Sequence, residues 1–60
     1  MSKAWAKMVV YPENTYWSVE LRTDLGNQWI MAITQKRKAL ASARAWSRRL
    51  GNIPVEIGDE

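Results

Sequence analysis

The chain has 60 residues, with nine Lys and Arg against six Asp and Glu, a formal charge of +3, and neither His nor Cys. That length holds one small domain around a single core, and at 47% hydrophobic and 25% charged residues the composition is that of a globular chain. The missing residue types exclude a disulfide framework, a thiolate nucleophile, a zinc–thiolate site and the usual general base near neutral pH.

The opening MSKAWAKMVV has no continuous apolar stretch followed by a small-residue cleavage site. No apolar run approaches the ~20 residues that span a bilayer, so the expected setting is cytoplasmic, without membrane contact. Residues 4–11 (AWAKMVVY) are mostly apolar and read as a first strand that ends at Pro12-Glu13-Asn14. Residues 16–23 (YWSVELRT) alternate, with Trp17, Val19 and Leu21 on one side and Ser18, Glu20 and Arg22 on the other, the pattern of a half-buried strand. A third strand is expected over Gln28 to Thr34. Asp24-Leu25-Gly26 suits a three-residue loop in which Gly takes a left-handed conformation at no steric cost. That loop pairs Leu21 with Trp29, Val19 with Met31 and Trp17 with Ile33, which puts all six on one face. A one-residue slip would turn every one of them over.

Residues 34–51 (TQKRKALASARAWSRRLG) combine good helix formers with Gly51-Asn52 as a stop. At about 100° per residue, Ala39, Leu40, Ala43, Trp46 and Leu50 make one apolar stripe, small residues allowing close approach and Trp46 and Leu50 supplying bulk. Ile53 to Ile57 alternates again as a short fourth strand, and Pro54, which lacks a ladder donor, places it at an edge. The expected fold is therefore α+β: an antiparallel three-stranded meander, one helix packed on one face, and a short C-terminal strand, in the order β-β-β-α-β. It forms one domain over 1–60, frayed at 1–3 and 58–60. The last strand runs parallel to the first and third and has a place beside either. The facing of the first strand depends on its turn. Four residues send Met8 and Val10 inward, three send Lys7 inward, and the first keeps a charge in solvent.

Charge is concentrated on the helix. Lys36, Arg37, Lys38, Arg44, Arg48 and Arg49 are six of the nine basic residues, and no acid occurs between Asp24 and Glu56. A solvated helix ordinarily mixes Glu with Lys and favours acids in its first turn. The macrodipole accounts for Arg48 and Arg49 but not for Lys36-Arg37-Lys38. Arg37, Arg44 and Arg48 fall within about 40° of one another, and guanidinium forks suit phosphate or carboxylate oxygens. The six residues form a candidate site for an anionic macromolecule, either nucleic acid or an acidic protein surface. The competing account is a solvated basic face whose long stems cover apolar surface.

Trp17, Trp29 and Trp46 share the expected core face. Trp5, Val9, Tyr11, Tyr16 and Ile30 are expected on the uncovered back of the sheet, as an interface for a partner protein or for a homodimer. No His is present to activate Ser18, Ser42 or Ser47, and no Gly-rich phosphate loop occurs. The chain is thus read as non-enzymatic, with no small-molecule substrate, cofactor or metal.

The W-x-V-x-L-x-T strand at Trp17 to Thr23, a following strand and a helix opening TQKRKALASARAW resemble the arm-type DNA-binding domain of tyrosine recombinases over about Tyr16 to Leu50. That resemblance implies a sheet that reads a DNA groove with a helix behind it, Lys7 and Arg22 being the basic residues on that sheet face. In size and element order the chain is also similar to small phage-encoded accessory proteins of ββαβ layout, some of which bind host machinery. This implies a phage or mobile-element accessory protein acting in the host cytoplasm. The expected function is docking of the basic helix face on nucleic acid, with a host-protein interaction module as the alternative.

Overall fold

The computed structural model describes residues 4–58. Strands β1 (Ala6–Glu13), β2 (Tyr16–Thr23) and β3 (Gly26–Ile33) form the meander, helix α1 (Lys36–Arg49) crosses it, and β4 (Val55–Ile57) completes a sheet of order β3-β2-β1-β4. The α+β architecture is the expected one, and β4 takes the place beside β1, parallel to it.

β1 runs past the expected stop at Tyr11 and turns through two residues, Asn14 and Thr15, so that Glu13 faces Tyr16. Asn14 takes φ 54°, a left-handed conformation that Asn tolerates better than most side chains. Two residues and four residues have the same parity, so Met8 and Val10 still point inward. Pro12 fits inside the strand because of what its neighbours bond. Met8 N–H donates to the Pro54 carbonyl at 2.8 Å and Gly58 N–H to the Val10 carbonyl at 2.8 Å. Even-numbered residues of β1 therefore aim their backbone groups at β4, and Pro12 comes where that strand has ended, so no ladder bond is lost. The same bond anchors Gly58, which was expected to fray; residues 1–3 and 59–60 of that expectation lie outside the described residues.

The second hairpin differs from its expected register in its distal half. The turn holds two residues, not three. Thr23 pairs with Gly26, and its hydroxyl accepts from Leu25 N–H at 3.1 Å and donates to the Gly26 carbonyl at 3.0 Å, which favours the tighter loop. Leu21 then faces Gln28, and Trp29 faces Glu20. Between Val19 and Glu20 the register shifts by one residue, and from Val19↔Met31 to Trp17↔Ile33 the pairing is the expected one. The extra residue is Ile30. Its bulge returns Met31 and Ile33 to the helix side and leaves Trp29 on the opposite, outer face, 53% exposed. Trp29 is therefore not a core residue. Ile30 in turn does not belong to the outer face, because it packs against the buried cluster.

The helix forms because its buried positions fall one turn apart. Ala39, Ala43 and Ser47 are buried at i, i+4 and i+8, with Leu40 and Trp46 packed beside them. The small side chains let α1 settle over β1 and β2, where Met8, Val10 and Val19 are fully buried. Ser47 takes the place in this seam that Leu50 was expected to fill. The helix stops at Arg49, and Leu50 is 43% exposed at the cap. Asn52 N–H donates to the Ser47 carbonyl at 2.8 Å and Gly51 N–H to the Arg48 carbonyl at 3.4 Å, with Gly51 at φ 96°: a Schellman stop. The Ser47 hydroxyl donates to the Ile53 carbonyl and holds the reversing chain against the helix.

The core is thin, so its members are sensitive. Met8→Ala is expected to lose about 2–5 kcal/mol in urea denaturation. Leu25→Ala, at a tip residue 93% exposed, is expected to change stability by no more than about 0.5 kcal/mol.

Candidate nucleic-acid interface

A helix that buries Ala39, Ala43 and Ser47 turns its other side outward. Lys36, Arg37, Lys38, Arg44, Arg48 and Arg49 are all exposed. Two of them lean on aromatic rings. Lys36 Nζ lies 5.2 Å from the centroid of Trp17, and Arg49 Cζ lies 5.7 Å from that of Trp46. Such contacts hold a cation while leaving its charge uncancelled. Arg37, Lys38, Arg44 and Arg48 make no ion pair or side-chain hydrogen bond among the described residues.

Glu13, Glu20 and Glu56 are engaged elsewhere. On the outer face of the sheet Lys7 Nζ donates to Glu56 Oε1 at 3.0 Å, and Arg22 Nε donates to Glu20 Oε1 at 2.7 Å. Ser18, fully buried on that face, donates to Glu13 Oε1 at 2.8 Å and accepts from Trp29 Nε1 at 3.3 Å. Asp24 sits at the hairpin tip, its N–H donating to the Trp5 carbonyl at 3.3 Å. Among the described residues the sheet thus keeps the helix cations and the acids apart, the former on one side and the carboxylates on the other or at the rim.

The helix N-terminus makes the imbalance sharper. Gln35 occupies the N-cap with no side-chain hydrogen bond to the first turn, and that turn contains no acid. The orphan backbone N–H groups and the positive end of the dipole therefore add to the charges of Lys36, Arg37 and Lys38 at this end of the helix. In chemical terms the arrangement is a set of charge-assisted donors with no side-chain acceptor among the described residues, suited to phosphate or carboxylate oxygens.

The aromatic back face is built differently from its expectation. Trp5 is 50% exposed, with Lys7 Nζ 5.9 Å from its ring centroid. Tyr11 is half-buried beneath Arg22, whose Cζ lies 5.8 Å from its ring centroid, and Tyr16 is half-buried too. Val9 is buried at 3% exposure, although it stands on the outer face, and so offers little surface to a partner. Ile30 lies on the other side, as described. The residue missed on this face is Trp29, and the signal that could have placed it was Thr23, whose side chain favours the shorter loop. A shallow depression of about 190 Å³, lined by Leu21, Thr23, Leu25 and Gly26 to Gln28, lies at the hairpin tip, away from the helix cations. No helix among the described residues is long and apolar enough to cross a membrane.

Comparison with models of known protein families, with curated proteins and with solved structures gives no match. The helix surface must therefore be read from its own chemistry.

Because the helix start is uncapped and crowded with cations, Gln35→Asp is expected to stabilise the fold by about 0.5–2 kcal/mol in urea denaturation, with Gln35→Ala near neutral. Arg44→Glu, at an exposed position with no ion pair or side-chain hydrogen bond among the described residues, is expected to change stability by no more than about 0.5 kcal/mol.

Proposed function

We propose that this chain is a non-enzymatic binding module that docks its basic helix face on nucleic acid. The observation that carries the reading is the separation of charge: the carboxylates with partners face Lys7, Arg22 and Ser18 on the outer side of the sheet, while Arg37, Lys38, Arg44 and Arg48 have none among the described residues. Unpaired like charges along one helix destabilise it by self-repulsion, and an anionic partner would offset that cost. Arg37, Arg44 and Arg48 make the phosphate contacts, and Lys36 and Lys38 add long-range attraction at the dipole's positive end. The sheet is a poor candidate for groove reading, since Lys7 and Arg22, its basic residues, are each held by a glutamate. On the likeness drawn from sequence, the setting is an accessory protein of a phage or mobile element acting in the host cytoplasm.

A second reading, a module that binds a host protein, draws on a separate observation. Trp5 and Trp29 are each about half exposed, and exposed aromatic surface of this kind favours protein contacts.

Fluorescence anisotropy with labelled nucleic acid across a salt series separates the two. Three arginine–phosphate contacts give a slope of about −2 to −3 in log K against log salt, and replacing Arg37, Arg44 and Arg48 together with Ala is expected to weaken binding about tenfold or more. Absence of binding at low salt removes the nucleic-acid reading. A protein captured from lysate that survives nuclease and is lost on Trp29→Ala, but not on Arg44→Glu, supports the second.

A further inference from the structure

The arrangement of side chains around the exposed half of α1 narrows the nucleic acid to one form. We propose, resting on the nucleic-acid reading above, that α1 enters the major groove of duplex DNA along a crest formed by Ala41 and Ala45.

At about 100° per residue, Ala41 and Ala45 stand opposite the buried seam of Ala39, Ala43 and Ser47. Both are exposed. Arg37, Arg44 and Arg48 lie along one shoulder of this crest, within about 40° of one another, and Lys38 and Arg49 lie along the other, within about 20°, Arg49 resting against the Trp46 ring at the outer edge of its row. Lys36 belongs to neither row, since its position falls on the side of the buried seam, over Trp17. The helix therefore presents two cation rows separated by a strip of methyl groups.

That cross-section has a counterpart in B-form DNA. Its major groove is about 12 Å wide and 8.5 Å deep, admits an α-helix, and carries a phosphate backbone on each rim. The crest goes to the floor, where methyl groups allow close approach, and each shoulder meets one rim. The 14 residues of α1 span about 21 Å, long enough for Arg37 and Arg48 to reach phosphates separated along the same strand. A single strand has one backbone and engages one row. A-form RNA has a deep, narrow major groove that shuts the helix out. The acids are absent from both rows and from the crest, so nothing on α1 repels either rim. With no amide or carboxylate side chain on the crest, base contact is limited to apolar contacts such as those with thymine methyls, and discrimination between sequences is low.

The test compares anisotropy titrations, at one salt concentration, of a short DNA duplex, the RNA duplex of the same sequence, and the DNA duplex with glucosylated hydroxymethylcytosine filling its major groove. Plain DNA is expected to bind about tenfold or more tighter than either of the others. Ala45→Trp, which fills the crest at an exposed position, is expected to weaken plain DNA binding to a similar extent, about tenfold, without lowering the thermal midpoint. Equal binding to plain and glucosylated DNA, or to DNA and RNA duplexes, overturns groove entry while leaving phosphate docking intact. Failure to bind any of the three overturns both. The wild-type comparison decides the question even if Ala45→Trp does not fold.

Discussion

The close seam between α1 and the sheet governs the rest of the molecule. Ala39, Ala43 and Ser47 present almost no bulk, so the helix backbone approaches β1 and β2 closely enough to bury Met8, Val10 and Val19 completely. A chain of this length cannot build a deep core, and dense contact at one helix–sheet junction is how it obtains burial. The seam also fixes the rotation of the helix about its axis. Once those three positions face the sheet, helical geometry sends Arg37, Lys38, Arg44, Arg48 and Arg49 outward or toward the flanks, while Lys36, at the first turn on the seam's own side, lies over Trp17.

Electrostatic organisation follows from the same rotation. Strand alternation places Lys7, Glu20, Arg22 and Glu56 on the face the helix does not cover, where they neutralise one another in pairs. An exposed pair such as Lys7–Glu56 adds little to stability, about 0–1 kcal/mol. The larger effect of the pairs is to keep carboxylates away from the helix. The fold thus acts as a partition: a four-stranded sheet stands between the cations of α1 and the paired acids behind it.

Much of this was legible in the residues and some was not, for identifiable reasons. The alternation of Tyr16 to Thr23, the stripe on the helix and the parity of the first turn rest on side-chain periods, and periods survive small errors in loop length. The place of β4 beside β1 depended on long-range pairing, which local pattern left open between two edges. The distal half of the second hairpin failed because a surplus residue can sit in a turn or inside a strand, and hydrophobic pattern alone favours the turn. Thr23, by bonding within the tip, moved it to Ile30. Leu50 was misplaced because apolar character was weighed above the need of a reversing chain for a hydroxyl, which Ser47 supplies to Ile53. The cations of the candidate site could be located from sequence, whereas the lack of an ion pair at Arg37, Lys38, Arg44 and Arg48 among the described residues needed coordinates.

The offset at Ile30 has a bearing on how this hairpin tolerates change. Its proximal portion, from Trp17↔Ile33 to Val19↔Met31, lies beneath the helix, and its distal portion, from Glu20↔Trp29 to the tip, follows a separate frame. The bulge between them is built-in slack. A residue lost or gained near the tip is absorbed by cancelling or moving that slack, without turning Met31 or Ile33 away from the core. The distal ribbon is thereby open to insertions and deletions across generations, while the portion under α1 keeps its phase.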